Sequence, residues 1–181
     1  RRFVADEPPS SLVDRAAARF RETDGDIREV VRTIVTSPEF FSESARRAKV
    51  KTPFEFVVSA VRAADVDLRD GLPLVQTLRQ LGMPLYMCQP PTGYSDKADA
   101  WVNTGALLNR MNFAVALSSN RLGRGGRPGA ARSEASVTAD RIPHDILAEE
   151  LSQTTVQTVA KATDEAQRIA LLLGSPDFQK R

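Results

Sequence analysis

The stretch that decides the fold class is TPFEFVVSAVRAA, residues 52–64. Thr52 and Glu55 stand three residues apart, the spacing of a capping box in which each side chain bonds the other residue's backbone N–H. Pro53 suits the first position of a helix, where no backbone N–H is needed. Apolar residues then recur every three or four positions, at Phe54, Val57, Val58, Val61 and Ala64. This pattern predicts an amphipathic helix that begins directly after Thr52.

The same helical pattern recurs along the chain, and no stretch shows sustained strand alternation. Helices are predicted from Ser11, from Asp26, over about 72–81, from near Thr104, and over about 143–151, 153–162 and 165–173. The helix from Thr104 is expected to turn one apolar side inward, made of Leu107, Leu108, Met111, Val115 and Ala116. The predicted fold class is therefore all-α: a multi-helix bundle with one long aromatic loop and one Arg/Gly-rich flexible loop. Residues 1–181 are expected to form a single helical module.

Length and composition narrow the class of protein. A chain of 181 residues suits one domain, and 41% hydrophobic with 27% charged residues is typical of globular proteins. A net charge of +2 does not call for nucleic acid or an anionic membrane as an obligatory partner. No apolar run reaches the roughly 18 residues of a membrane span, and the first residues show no signal-peptide pattern. Cys88 is the single cysteine, so a disulfide within the chain is excluded.

One helix-and-turn pattern occurs twice. Asp26 is followed eleven positions later by SPEF, residues 37–40, and Asp164 is followed eleven positions later by SPDF, residues 175–178. Each copy predicts a capped helix, a Ser-Pro restart and a phenylalanine that folds back towards the helix before it. Because a repeat array usually needs three or more copies, a reused local device is favoured over a duplicated functional site.

Seven short motifs together resemble one family. In order they are FVADEPP (3–9), TSPEFF (36–41), KVKTPFE (49–55), PPTGY (90–94), AWVNT (100–104), LLNRMNFA (107–114) and LLGSPDFQ (172–179). Their order and spread resemble the bacterial domain of unknown function 1800 family. The resemblance implies that the chain is the C-terminal part of a longer protein and that this protein is exported, with an extracytoplasmic location. It supplies no catalytic residues, because the family's chemistry is not defined.

Catalytic and metal-binding motifs are missing from the sequence. His144 is the single histidine, so a metal site with two histidines cannot form within the chain. The phosphate-binding glycine loop, the nucleophile elbow and the Cys-x-x-Cys pair do not occur either. Asp65, Asp67 and Asp70 lack the glycine and glutamate of a calcium loop and are interpreted as a solvated turn. No catalytic residue, metal ligand or cofactor is therefore predicted.

The long loop between the fourth and fifth predicted helices concentrates the aromatic residues. Tyr86, Tyr94 and Trp101 lie within 16 positions of one another, in a segment that contains proline. Exposed aromatic faces stack on sugars, bases or peptides, so these three residues are the candidate ligand-binding residues, with Arg110 as an anion partner. The alternative is that Tyr94 and Trp101 anchor a long loop on the bundle. Burial of Trp101 would favour this alternative.

The segment from Arg121 to Thr138 is rich in arginine and glycine. Arg121, Arg124, Arg127 and Arg132 are candidate polyanion-binding residues, since guanidinium groups and free backbone amides bind phosphates. A flexible solvated loop is the favoured alternative, because no aromatic residues are interleaved.

These observations favour a non-catalytic helical scaffold or recognition module of a larger, exported bacterial protein. Its partner is a protein, a small molecule or a glycan, with no obligatory nucleic acid and no membrane span. In the enzyme alternative, Asn103, Arg110, Asn112 and His144 line one wall of an active site completed by upstream residues. Polyanion or nucleic-acid binding through the Arg/Gly segment is the third hypothesis.

Overall fold

The computed structural model describes residues 1–66, 70–119, 121–122 and 151–181. Within these ranges the ordered elements are helical, and the only β-type pairing is an isolated antiparallel bridge between Val50 and Lys180. The helices are α1 (Ser10–Glu22), α2 (Ile27–Val35), α3 (Pro53–Ala63), α4 (Leu72–Gln80), α5 (Thr104–Ser118), α6 (Gln153–Val159), α7 (Glu165–Gly174) and α8 (Pro176–Gln179), with a 3-10 turn at Ala98–Ala100. The all-α prediction is confirmed.

The predicted helix starts agree with the structure to within a residue or two. The helix predicted over about 143–151 lies almost wholly outside the described residues, and so does the Arg/Gly segment beyond Leu122. The long loop is found where it was predicted, between α4 and α5.

The chain divides into two compact units. The first comprises residues 1–50, 95–100 and 180–181, and the second comprises residues 51–94 and 101–179. The single-module organisation stays a prediction.

The capping box that opens α3 forms as predicted. The Thr52 hydroxyl oxygen accepts from the Glu55 backbone N–H at 3.4 Å, and the Glu55 carboxylate accepts from the Thr52 backbone N–H at 2.8 Å. Asn103 and Asp164 cap α5 and α7 with similar side-chain bonds. At each of these helix starts a side chain from the same local sequence binds a free backbone N–H group. The first residue of the helix can therefore be predicted from neighbouring residues alone.

The core of the second unit is built around phenylalanine rings. Phe56 on α3 meets Phe113 on α5 and Phe178 on α8 edge to face, with ring centroids 5.8 Å and 6.0 Å apart. Such contacts add to the free energy gained by burying the rings. The aliphatic residues packed with them include Val57, Leu78, Leu81, Leu117, Ile169, Leu172 and Leu173.

The first unit is a helical hairpin with a polar cluster. Gly25, at φ +87°, allows the sharp turn between α1 and α2, and Arg19 bonds Glu29 across the hairpin at 2.6 Å. Lys49 is buried, and its ammonium group pairs with the Asp6 carboxylate and donates to the Asp96 carbonyl at 2.6 Å. Because the cation has these two partners, its burial is tolerated.

The two copies of the helix-and-turn pattern share a hydrogen bond but differ in packing. The Ser37 hydroxyl accepts from the Phe40 N–H at 3.2 Å, and the Ser175 hydroxyl accepts from the Phe178 N–H at 3.1 Å. Phe178 is fully buried and lies in the short helix α8, whereas residues 38–47 form successive turns. The serine hydrogen bond is therefore common to both copies, while the burial of the phenylalanine and the structure around it differ.

Phe178→Ala should lower the free energy of unfolding by about 3–5 kcal/mol, because it leaves a cavity beside Phe56 in the phenylalanine cluster. Urea unfolding followed by the fluorescence of Trp101, the single tryptophan, measures this in the second unit. The control is Leu72→Ala, which removes a side chain of the same unit that is 57% exposed and should change the unfolding free energy by less than about 1 kcal/mol. Equal losses in the two variants would contradict the assignment of Phe178 to the core.

Candidate functional site

Two of the three predicted aromatic binding residues serve to hold the long loop. Trp101 is buried, with 7% of its surface exposed, and its ring meets the half-buried Tyr94 ring at a centroid distance of 6.2 Å. The Tyr94 hydroxyl donates to the Pro84 carbonyl at 2.6 Å. Partial burial, and then the nearby Cys88 thiol, raise the pKa of Tyr94 and keep the hydroxyl a donor. The anchoring interpretation is favoured for both residues, and their recognition role is not proposed further.

Tyr86 stands apart from this pair. Its side chain is fully exposed, its backbone has φ +60°, and the neighbouring Met87 is also exposed. The structure therefore does not gather the three aromatic residues on one ligand-binding surface.

Arg110 lies inside the second unit instead of on an anion-binding surface. It is 1% exposed and donates to the Gln179 side-chain oxygen at 2.6 Å and to the Lys51 carbonyl at 2.8 Å. Its guanidinium carbon lies 5.0 Å from the centre of the Phe56 ring, and its Nε–H has no hydrogen-bond partner in the described structure. Burial lowers the pKa of Arg110 to about 10, so the group stays charged at neutral pH. The hydrogen bonds of Arg110 therefore connect the middle of α5 to the residues just before α3 and to the end of α8.

The residues of the enzyme alternative are not gathered in the described structure. The Asn103 side-chain oxygen is used to cap α5, accepting from the Ala106 N–H at 2.9 Å. Arg110 is buried, Asn112 is exposed, and His144 lies outside the described residues.

The described part of the chain offers neither a metal site nor a membrane span. Its His, Cys, Asp and Glu residues form no group of three that could hold a metal ion. No described helix is both long enough and apolar enough to cross a bilayer.

Of the four predicted polyanion-binding arginines, Arg121 is exposed, and the other three lie outside the described residues: Arg124, Arg127 and Arg132.

The prediction of which side of α5 is buried was wrong. The buried residues are Arg110, Phe113, Ala114 and Leu117. Four of the residues expected inside are instead 36–59% exposed: Leu107, Leu108, Met111 and Val115. The helix is apolar on nearly all sides, so the spacing of its apolar residues does not indicate which side is buried. The buried side is the one that carries the Phe113 ring contact and the Arg110 hydrogen bonds.

These four residues define a surface that we call the outer face of α5. Arg110 is the one charged residue between Thr104 and Ser118, and it points inward, so the outer face carries no charge. Exposed apolar patches of this kind mark interaction sites.

A cavity of about 160 Å³ lies beside the outer face, between α5, α6 and α7. Met111 of the outer face also lines the cavity, and its side chain crosses Gly174 so closely that a Cβ there would lie 2.8 Å from the Met111 methyl carbon. Other lining residues are Thr154, Thr155, Thr158, Leu171, Ser175 and Pro176. The sequence pattern contained no signal for this cavity, because its walls come from four separate helices.

The first unit contains a larger and more polar groove of about 410 Å³. In it Arg15 donates to the Glu39 carboxylate at 2.6 Å, and Ser11 donates to the second Glu39 oxygen at 3.1 Å. The Arg15 hydrogen bond, together with a backbone bond, lowers the pKa of Glu39 to about 2. Thr33, Thr36 and Ser37 in this groove all donate to carbonyls of their own helix, so the groove is an ion-paired surface between α1 and the turn after α2.

Arg110→Ala should destabilise the second unit by about 3 kcal/mol, because it leaves the Gln179 side chain and the Lys51 carbonyl without their buried donor. Trp101 fluorescence during urea unfolding measures the loss. Arg79→Ala, which removes an exposed arginine from α4, should change the unfolding free energy by less than about 0.5 kcal/mol. A similar small effect for Arg110→Ala would show that the buried hydrogen bonds do not stabilise the unit.

Glu39 should make the first unit sensitive to acid. Its pKa in the folded chain lies below the ordinary value of 4.5, so its contribution is complete above pH 4.5 and is lost as the pH falls towards about 2. The difference in thermal midpoint between the parent chain and Glu39→Gln, followed by circular dichroism, should therefore shrink over this range. Glu43→Gln, at a nearby exposed carboxylate, is the control for the loss of one charge. A difference that is constant with pH would contradict the Arg15–Glu39 assignment.

Comparison with known proteins identifies a family without assigning an activity. None of the curated proteins and none of the solved structures compared with the chain matches it. The model of one family, described as a protein of unknown function (DUF1800), matches residues 1–180, and the chain therefore belongs to that family.

Proposed function

We propose that the chain is a non-catalytic helical scaffold or recognition module of a larger, exported bacterial protein, and that it docks through the outer face of α5. The exposed, apolar and uncharged character of that face carries the proposal. The larger protein and its export are carried by the family resemblance.

The chemistry of the outer face favours a protein partner. An anionic membrane or a nucleic acid is held by exposed lysine and arginine, and the outer face has neither. A glycan is held by exposed aromatic rings, whereas Leu108, Met111 and Val115 are aliphatic or thioether side chains. A second helix with apolar side chains matches these properties.

The spacing of the outer face fits one helix laid along another. Leu108, Met111 and Val115 follow one another at intervals of three and four residues, which places them in one row along α5. Beside this row, Asn112 is exposed, and the Asn109 amide donates to the Gln80 carbonyl at 3.3 Å. An apolar row with neutral polar neighbours is the pattern of a helix that packs into a helical groove.

The size of the outer face favours a partner within the same polypeptide. Covering the four partly exposed side chains of the outer face contributes about 1 kcal/mol each. Independent association costs about 4–15 kcal/mol in lost translational and rotational freedom, which this gain does not offset. A tethered segment is present at a high effective concentration, so a gain of this size suffices. The proposed occupant is therefore an apolar helix tethered to this chain, and we propose that it comes from the upstream part of the longer protein that the family resemblance implies.

Hydroxyl-radical footprinting tests this docking. The 181-residue chain and the natural longer polypeptide are oxidised in parallel, and the modification of Leu108, Met111 and Met87 is measured by mass spectrometry. Leu108 and Met111 should be protected several-fold in the longer polypeptide, because the docked helix covers them. Met87, which is 60% exposed in the long loop, is the internal control and should be oxidised equally in both.

Two charge substitutions separate docking from general stability. Leu108→Glu in the longer polypeptide should abolish the protection of Met111, because a carboxylate then lies inside the apolar contact. Asn112→Glu places the same charge beside the row and should leave most of the protection. Equal oxidation of Met111 in the two parent chains would overturn the proposal.

The enzyme and polyanion alternatives gain no supporting observation from the described residues. In the first, Asn103 and Arg110 are engaged in structural hydrogen bonds. In the second, Arg121 is the single arginine of the predicted set within the described structure.

A further inference from the structure

We propose that the cavity between α5, α6 and α7 binds one aliphatic side chain, of the size of leucine or methionine, as the anchor of the docked helix. The proposal deepens the proposed function and rests on it for the source of the side chain.

The walls are apolar although they contain several hydroxyl-bearing residues. The Thr158 hydroxyl donates to the Thr154 carbonyl at 2.7 Å, one helical turn back. The Thr155 hydroxyl oxygen accepts from the Ser152 hydroxyl at 3.0 Å, and the Ser175 hydroxyl accepts from the Phe178 N–H at 3.1 Å. Because the hydroxyls of Thr155, Thr158 and Ser175 already have partners within the chain, an aliphatic guest does not leave these three unsatisfied. The fourth hydroxyl-bearing residue of the walls, Thr154, has an exposed side chain and keeps its contact with water.

The floor of the cavity depends on a residue without a side chain. Gly174 ends α7, and the Met111 thioether occupies the space that a Cβ at this position would need. Methionine has a flexible, polarisable side chain that adapts to different apolar guests. Met111 can therefore swing between the floor and the cavity mouth without moving the backbone.

The volume of the cavity selects a medium-sized guest. Apolar cavities of about 150 Å³ hold a guest as large as benzene, and a cavity of about 160 Å³ is therefore large enough for a leucine side chain. An ammonium or carboxylate group would lose its hydration and find no charged residue among the described lining residues. Since Met111 belongs both to the cavity and to the outer face of α5, a helix lying on that face brings one side chain to the cavity mouth.

Methyl NMR tests the cavity in the absence of the docked helix. The chain is labelled with ¹³C at its methionine methyl groups and titrated with N-acetyl-leucine methylamide. The Met111 signal should shift in a saturable manner in the millimolar range, because a single anchor side chain contributes only part of a docking energy. Met83 and Met87 are internal controls, and N-acetyl-glycine methylamide is the control for backbone contacts. Absence of a saturable shift, or an equal shift with the glycine compound, would overturn the proposal.

Two glycine substitutions locate the guest. Gly174→Ala forces the Met111 side chain off the floor and into the cavity, and should weaken the leucine-dependent shift at least tenfold. Gly105→Ala adds a methyl group on α5 whose one close neighbour, the Asn103 oxygen, lies at an ordinary 3.5 Å, and should leave the shift unchanged. Persistence of the shift in folded Gly174→Ala would place the guest elsewhere and refute the cavity assignment.

If Gly174→Ala fails to fold, two substitutions of Thr158 test the cavity, and Leu108→Glu tests the docking. Thr158→Val keeps the shape of the exposed wall and should retain the shift, whereas Thr158→Phe fills the cavity and should abolish it. Retention of the shift in Thr158→Phe would contradict the proposal. Leu108→Glu should remove footprinting protection in the longer polypeptide while the isolated chain still binds the leucine compound. Footprinting therefore tests the docking of the helix, and the Met111 methyl shift tests ligand binding in the cavity, independently of each other.

Discussion

The charge of Arg110 is the constraint around which the second unit is arranged. A guanidinium group removed from water must keep its hydrogen-bonding partners, and the described partners of Arg110 are two neutral oxygens and the face of Phe56. Those oxygens belong to Lys51 and Gln179, far apart in the sequence, so satisfying one side chain brings three segments together. Gln179 in turn donates to the Leu173 carbonyl at 3.0 Å, which extends the same network to α7. The orientation of α5 follows, because Leu108 lies nearly opposite Arg110 around the helix, so an inward Arg110 places Leu108 outward.

This arrangement explains which features a sequence can and cannot indicate. Helix starts depend on neighbouring residues, and the Thr52–Glu55 and Asp26 caps were therefore predictable. The inward side of α5 depends on partners 59 and 69 residues away, and the apolar pattern around that helix contained no preference. An arginine is also among the residues least expected in a core, so burial of Arg110 contradicts the usual hydrophobic rule. The Ser-Pro copies show the same limit, since equal local signals end in turns at residue 38 and in a helix at residue 176.

The outer face and the cavity are related through Met111. A surface without charge has little means of choosing between apolar partners, because electrostatic complementarity, which rejects wrong partners, is missing. A neighbouring cavity of limited volume supplies selection by shape instead. The small residues of the site therefore matter as much as the large ones: Gly174 leaves room for Met111, and Thr155 and Thr158 give walls whose hydroxyls are already bonded.

The antiparallel bridge between Val50 and Lys180 has a consequence for synthesis of the chain. The Arg181 N–H donates to the Lys49 carbonyl at 2.8 Å, and residues 180–181 belong to the same compact unit as the N-terminal hairpin. The ribosome therefore delivers α1 and α2 early, but the strand-like contact that completes their unit emerges only after the whole second unit has been made. Long-range pairings of this kind slow folding. Formation of this bridge therefore has to follow synthesis of the second unit, although most of the first unit is made before it.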